Sequence, residues 1–144
     1  MILDTVALVR LLRDELDAAV VIDLEAAEMV VMSAASFFEI NQKVRVGKLT
    51  MDSLGEREIA ALSERGLTVE PVSAAVMAHA AAMRWTHRGA EHRDPFDRMI
   101  AAAALASGLP VVTSDPAFGS LTGEGLAIYG LKEGVSEVRG EGAA

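Results

Sequence analysis

Short apolar runs alternate along the chain with longer stretches in which apolar residues recur at helical spacing. The apolar runs predict strands at residues 2–3, 29–32, 67–72, 109–112 and 126–129. The helical spacing predicts helices at about residues 6–12, 14–28, 36–45, 50–65, 73–84 and 95–107. Strands that alternate with helices in this way favour an α/β fold in which helices cover both faces of a mainly parallel sheet.

The region from His92 to Asp115 carries the clearest local signals. Asp94 is suited to be an N-cap, and Pro95 then takes the first helical position. Small and apolar residues continue until Gly108, which is suited to end the helix, and the next strand is wholly apolar. This strand runs into Thr-Ser-Asp, so Asp115 is predicted to follow the carboxyl end of a buried strand.

Acidic residues recur at equivalent places in the predicted elements. Asp4 follows the first strand as Asp115 follows a later one, and Glu39 and Asp97 fall in predicted first turns of helices. In open α/β sheets, ligands bind outside the carboxyl ends of the strands, so these acids are candidates for one site. Each also has a simpler explanation, because Asp4 and Asp115 can cap the helix or turn after them, Ser36 with Glu39 fits a capping box, and the helix dipole favours Asp97.

Convergence of these acids would require a compensating charge. Two carboxylates about 5 Å apart repel by roughly 3 kcal/mol at an effective dielectric constant of 20. The chain has no cysteine, and a cluster of oxygen ligands suits Mg²⁺ or Mn²⁺ better than Zn²⁺. Such ions activate water and stabilise the charge that develops on a phosphoryl group.

Length and composition indicate one domain. The chain has 144 residues, of which 51% are hydrophobic, and we expect a single domain over residues 1–130 with a loose polar tail at residues 131–144. No signal-peptide pattern is visible, and no apolar run approaches the ~20 residues that a membrane span needs. A cytoplasmic protein without membrane contact is expected.

The net charge of −8 argues against a protein coated with nucleic-acid-binding surface. Basic residues nevertheless cluster in two spans, at residues 43–48 and 84–98. A solvated helix face explains each cluster as well as a phosphate-binding site does.

Five motifs, taken together, resemble a known family. They are LDTVAL at residues 3–8, SAASFFEI at 33–40, KVRVGKL at 43–49, HRDPFDR at 92–98 and VTSDPAF at 112–118. In this order and spacing the chain resembles PIN-domain ribonucleases, specifically VapC-like toxins of bacterial type II toxin–antitoxin pairs, over about residues 1–130. The resemblance implies a three-layer α/β/α sandwich whose central, mainly parallel sheet has about four to five strands.

The resemblance also implies an activity and a site. It implies a Mg²⁺- or Mn²⁺-dependent endoribonuclease that hydrolyses RNA phosphodiester bonds with metal-activated water, forms a homodimer and is neutralised by a cognate antitoxin. The positions that match the family's catalytic, metal-binding acids are Asp4, Glu39, Asp97 and Asp115. Supporting or alternative roles at the site fall to Asp94, Thr113 and Thr5.

Basic residues that flank the acids in sequence are candidates for RNA contact, since Arg and Lys are the usual partners of phosphate. The candidates are Lys43, Arg45, Arg93 and Arg98. An ion pair with a site carboxylate is an equal alternative for Arg98. His87 and His92 could act as acid or base, but a partly exposed loop histidine is the favoured interpretation of each, and no histidine is assigned to the site.

Two other functions compete with this interpretation. A receiver-like phosphorylation switch also uses strand-end acids, but it has paired acids after the first strand and a Lys after the last, whereas this chain has Asp4 followed by Thr5 and no such Lys. A non-catalytic module that binds RNA or protein would keep the fold without the chemistry. The presence of all four candidate ligands argues against that module.

Overall fold

A parallel five-stranded sheet forms the centre of the molecule, in a computed structural model that describes residues 1–132. Its strands are β1 (Ile2–Leu3), β2 (Val30–Ser33), β3 (Leu67–Glu70), β6 (Val111–Thr113) and β7 (Ile128–Gly130). Their spatial order is β3-β2-β1-β6-β7, and every neighbouring pair is parallel. A separate antiparallel hairpin consists of β4 (Thr86–His87) and β5 (Ala90–Glu91).

Helices cover both faces of the sheet. They are α1 (Thr5–Leu12), α2 (Ala18–Ala26), α3 (Ala34–Arg45), α4 (Glu56–Glu64), α5 (Ala74–Ala82) and α6 (Pro95–Ser107), with a 3₁₀ helix at Pro116–Glu124. Successive strand residues point to opposite faces, so Ile2 packs in a core with α5 and α6, whereas Leu3 packs in a second core with α1–α4. The predicted three-layer α/β/α sandwich is confirmed.

Two helix starts and one hairpin differ most from the sequence-based predictions. The helix predicted from residue 14 begins at Ala18, because Asp14 has a left-handed backbone, with φ 57°, that interrupts helical geometry. The helix predicted from residue 50 begins at Glu56, and Asn41 binds both backbone polar groups of Leu54 in the segment before it. The sequence pattern does not predict the β4–β5 hairpin, whose turn places Arg88 and Gly89 at φ 52° and 79°.

The start of α3 also corrects the prediction for Glu39. Ser33, not Ser36, is the N-cap, and its hydroxyl accepts a hydrogen bond from the amide of Ala35 at 3.2 Å. Glu39 is therefore in the second turn, and the capping box predicted with Ser36 is wrong. Ser36 is instead fully buried, with its hydroxyl 3.1 Å from the hydroxyl of Thr5.

Arg98 holds the segment that precedes α6. Its side chain is buried, and its guanidinium donates to the carbonyls of Ala80 at 2.8 Å, His92 at 2.7 Å and Met83. The guanidinium therefore binds backbone carbonyls. The sequence-based interpretations of Arg98 as an RNA contact or as the partner of a site carboxylate are both wrong.

Replacement of Arg98 by Met should destabilise the fold by about 3 kcal/mol or more, because three carbonyls lose a charged donor. Urea unfolding measures this change. Arg93→Met is the matched control, since the Arg93 side chain is 85% exposed and its loss should change stability by less than about 0.5 kcal/mol. Equal effects of the two substitutions would contradict the structural role of Arg98.

The residues after β7 are bound to the rest of the fold as far as the structure describes them. Of the predicted tail, only Leu131 and Lys132 lie within the described residues, where the amide of Leu131 donates to the carbonyl of Thr113 and Arg10 binds the carbonyl of Lys132. The remaining tail residues lie outside the described part. Within residues 1–132, no helix combines the length and apolar character that a membrane crossing requires.

Candidate active site

Two neighbouring strands bring Asp4 and Asp115 to the same edge of the sheet. Strands β1 and β6 pair in parallel, and the amide of Asp4 donates to the carbonyl of Val112 at 3.1 Å. Asp4 directly follows β1, and Asp115 comes two residues after β6. Both acids therefore lie at the carboxyl edge, where parallel sheets place their ligands.

Asp4 is a buried acid that also caps a helix. It is 3% exposed, and its Oδ1 accepts a hydrogen bond from the amide of Ala7 at 2.8 Å at the start of α1. Burial raises the pKa of Asp4 to about 7; the charges of Asp97 and Asp115 add to the rise, and hydrogen bonds from Thr113 and Ala7 oppose it. The three acids therefore share one electrostatic environment.

The N-terminus of α6 positions Asp97. The Oδ1 atom of Asp94 accepts hydrogen bonds from the amides of Phe96 at 2.9 Å and Asp97 at 3.0 Å, so Asp94 is the N-cap that the sequence predicts. Asp97 is then the third helical residue, and its Oδ2 lies 2.9 Å from Nε2 of His92. Burial raises the pKa of Asp97 to about 6, and the bond to His92 opposes the rise.

His92 belongs to the same cluster, although its sequence context is that of a loop residue. One of its ring nitrogens and one carboxylate oxygen each of Asp97 and Asp115 lie within 4.8 Å of one another. The hydrogen bond to Asp97 raises the pKa of His92. The sequence spacing of five residues to Asp97 is not a helical or strand pattern, so only the unpredicted hairpin before α6 could have revealed this contact.

Asp115 is held by the turn that follows β6. Its amide donates to the hydroxyl of Thr113 at 2.9 Å, and its Oδ1 accepts from the amide of Ala117 at 2.9 Å. Thr113 thus bonds to both Asp4 and Asp115, which is consistent with its predicted supporting role. The hydroxyl of Thr5 is hydrogen-bonded to the hydroxyl of Ser36, so this bond links α1 to α3 and does not involve an acid.

Glu39 lies on α3 in a buried position. It is 6% exposed, and its Oε2 forms an ion pair with Lys43 at 3.2 Å. Its Oε1 is buried and, among residues 1–132, has no hydrogen-bond partner. Within the same range, Glu39 and Asp4 lie outside the 4.8 Å group formed by His92, Asp97 and Asp115.

The basic residues that are candidates for RNA contact differ in the exposure of their side chains. Arg45 is exposed in the last turn of α3, and Arg93 is exposed with its Nε 3.6 Å from Glu91. Lys43 is partly buried against Glu39. Arg45 and Arg93 therefore remain the candidates with guanidinium groups at the surface.

The donor set fits a divalent cation. Carboxylates dominate it, Asp4 and Asp97 have raised pKa values that a cation would lower, and Glu39 has a buried oxygen without a donor among the described residues. Buried charges in proteins are normally paired or bound to metals. The residues that could hold the ion are Asp4, Glu39, Asp97 and Asp115, with His92 beside them.

If these acids bind a cation, then Mg²⁺ or Mn²⁺ should raise the melting temperature more at pH 8 than at pH 5. At pH 5, below the pKa values of about 7 for Asp4 and about 6 for Asp97, protons compete with the ion. At about 100 times the dissociation constant, the ion adds about 2.7 kcal/mol. Thermal unfolding with and without EDTA measures the effect, and a larger shift at pH 5 would contradict it.

Comparison with known proteins adds to this geometry. The PIN domain family model matches residues 1–124. FitAcB from Neisseria gonorrhoeae has 26% sequence identity and a TM-score of 0.56, over 89% of this chain and 95% of that chain. DNA-bound VapBC from Salmonella typhimurium has 20% identity and a TM-score of 0.62, over 90% and 96% of the two chains. VapBC2 from Rickettsia felis, bound to promoter DNA, has 16% identity and a TM-score of 0.63, over 91% and 98%. No curated protein matches the chain significantly.

The fold and the acidic edge together define an α/β domain with a candidate cation site, and the family match makes the class specific. Because the match covers residues 1–124 of 144, the chain belongs to the PIN-domain family. PIN domains are generally nucleases, and the acidic cluster is consistent with that activity.

Proposed function

We propose that this protein is a VapC-like toxin: a metal-dependent endoribonuclease that acts in the cytoplasm and is neutralised by a cognate antitoxin. The observation that carries the proposal is the convergence of Asp4, Asp97 and Asp115 at the carboxyl edge of a PIN-family sheet. Phosphodiester hydrolysis needs a positioned water and a means to stabilise negative charge, and a cation held by such acids serves both needs.

The proposed mechanism assigns a role to each acid. A bound Mg²⁺ or Mn²⁺ would supply Lewis acidity and a water of lowered pKa. Asp97 and Asp115 would hold the ion, and Asp4 and Glu39 would complete the negative site. Asp94 acts through the backbone, because its carboxylate caps α6 and thereby fixes the position of Asp97.

RNA is the proposed substrate because exposed cations and an exposed aromatic residue lie beside the acids in the chain. Arg45 and Arg93 offer guanidinium groups for phosphate, and Lys43 lies against Glu39. Phe38 precedes Glu39, is 64% exposed and lies 6.1 Å from the ring of Phe96. Single-stranded RNA is commonly bound by stacking of its bases on aromatic side chains.

If Phe38 stacks on a base, then Phe38→Ala should raise the KM for RNA cleavage about 10-fold and leave kcat within about twofold. Phe38→Trp should restore the KM, because it keeps an aromatic face. Steady-state cleavage of a single-stranded RNA measures both parameters. A fall in kcat with an unchanged KM would contradict this role for Phe38.

An antitoxin partner is supported by the structural neighbours. The VapBC proteins that share this fold were solved as complexes, and the neighbour from Klebsiella pneumoniae is a toxin–antitoxin complex. We propose the same kind of partner here, and a homodimer as the state of the toxin.

Induced expression in a bacterial host tests the toxin proposal. The wild-type chain should arrest growth and degrade RNA, and Asp97→Asn should do neither at equal protein level. Co-expression of a neighbouring antitoxin gene should restore growth. Arrest of equal strength by the wild type and Asp97→Asn would contradict the proposal.

A further inference from the structure

An imidazole nitrogen lies among the carboxylates at the acidic edge. The Nε2 atom of His92 is 2.9 Å from Oδ2 of Asp97, and both groups share a 4.8 Å cluster with a carboxylate oxygen of Asp115. Two adjacent ligand atoms that each lie about 2.0–2.2 Å from one small divalent ion are about 3 Å apart, which matches the 2.9 Å between His92 and Asp97.

The surrounding structure fixes this imidazole in place. The amide of His92 donates to the carbonyl of Trp85 at 2.7 Å, and its own carbonyl accepts from Arg98 at 2.7 Å. The imidazole packs on the indole of Trp85 with ring centroids 4.2 Å apart. Trp85 is itself buried and donates to the carbonyl of Ala117 at 2.9 Å. A ring held by these contacts is positioned before any ligand arrives.

We infer that His92 is a nitrogen ligand of the divalent cation, bound through Nε2 beside Asp97 and Asp115. This inference rests on the proposed function, because it adds a ligand to the proposed metal site. The proposed metal site is supported apart from His92, because Glu39, one of its proposed ligands, carries a buried oxygen that lacks a hydrogen-bond donor among the described residues. The resulting site is mixed, with one nitrogen and several oxygen atoms.

A nitrogen ligand changes which metal the site prefers. Carboxylates suit both Mg²⁺ and Mn²⁺. An imidazole nitrogen adds affinity for a transition metal such as Mn²⁺ but adds little for Mg²⁺. The site should therefore bind Mn²⁺ more tightly than Mg²⁺. His92→Gln should lower the Mn²⁺ affinity at least about 10-fold, a loss comparable to that of other groups that support metal sites, and should change the Mg²⁺ affinity less.

Pulsed electron paramagnetic resonance on the Mn²⁺-loaded full chain tests the inference without relying on activity. The wild type should show a ¹⁴N coupling to Mn²⁺, and His92→Gln should abolish it. Labelling of histidine with ¹⁵N should replace the ¹⁴N coupling by a ¹⁵N coupling. His87→Gln is the matched control and should retain the coupling, since His87 lies in β4 and its Nδ1 is hydrogen-bonded to the hydroxyl of Ser120. Circular dichroism confirms that each variant is folded.

The outcomes separate this inference from the proposed function. Mn²⁺ that binds without nitrogen coupling would overturn the role of His92 as a ligand and leave His92 only as a positioning partner of Asp97. Coupling that persists in folded His92→Gln would also overturn it. Failure of the wild-type chain to bind Mn²⁺ or Mg²⁺ at all would instead overturn the metal site itself.

Discussion

Asp97→Asn is expected to lower the rate of RNA cleavage at least about 1,000-fold, because a site that works through a bound cation loses a central anionic ligand. A loss of this size corresponds to about 4 kcal/mol of transition-state stabilisation. Asn is nearly isosteric with Asp and can keep a contact to His92, which lies 2.9 Å from Asp97. Single-turnover cleavage at saturating metal measures the rate.

The neighbouring acid provides the matched control. Asp94→Asn removes the same charge three residues away, but Asn caps helices as well as Asp does, and the capping Oδ1 that binds Phe96 and Asp97 is kept. Its activity should stay within about 10-fold of the wild type. Equal losses in the two variants would show that Asp94 is itself a ligand, and equal retention would contradict the assignment of Asp97.

Asp4→Asn is expected to stabilise the metal-free protein at pH 8 while it weakens cleavage. The folded pKa of Asp4 is about 7 against a reference value of 3.8. The folded state therefore binds more protons than the unfolded state between these values, and stability falls as the pH rises from about 4 to above 7. The full penalty is on the order of 4 kcal/mol, at 1.36 kcal/mol per pKa unit.

Asn at position 4 removes this penalty because it is neutral at every pH and keeps an oxygen for the amide of Ala7. Urea unfolding in EDTA at pH 5 and pH 8 should show a flatter pH dependence for Asp4→Asn and a higher stability at pH 8. The control is Asp52→Asn, at an exposed position, which should leave the pH dependence unchanged. A variant less stable than the wild type at pH 8 in EDTA would contradict this role of Asp4.

These two predictions describe one physical compromise. Buried carboxylates with raised pKa values destabilise a fold unless a proton or a cation neutralises them. Asp4 and Asp97 both have raised pKa values, and burial is the largest cause of each rise. Perturbed acids of this kind cluster at functional sites more often than elsewhere, which is consistent with the candidate cation site.

The sequence predicts the parts of this site that derive from regular structure. Asp4 and Asp115 are placed by strand ends, and Asp94 and Asp97 by capping rules, so local patterns suffice for all four. Local patterns place Glu39 one turn too early, because both Ser33 and Ser36 are suited to be the N-cap, whereas in the structure Ser33 caps α3 and Ser36 bonds to Thr5.

The remaining parts depend on tertiary contacts that no local pattern encodes. Arg98 lies in a polar segment typical of a surface, but its guanidinium satisfies backbone carbonyls that converge only in the folded chain. His92 enters the site because Trp85 and the β4–β5 hairpin hold it there. An isolated histidine or arginine in a sequence carries no signal that distinguishes these roles from exposure to solvent.

Cleavage of a single-stranded RNA by the purified wild-type chain, with Mg²⁺, with Mn²⁺ and with EDTA, tests the central claim most directly. A site that works through a bound cation should give discrete products with either metal, no products in EDTA, and recovery of cleavage when metal is added back in excess. Products that form at the same rate in EDTA would contradict a metal-dependent site built from Asp4, Asp97 and Asp115.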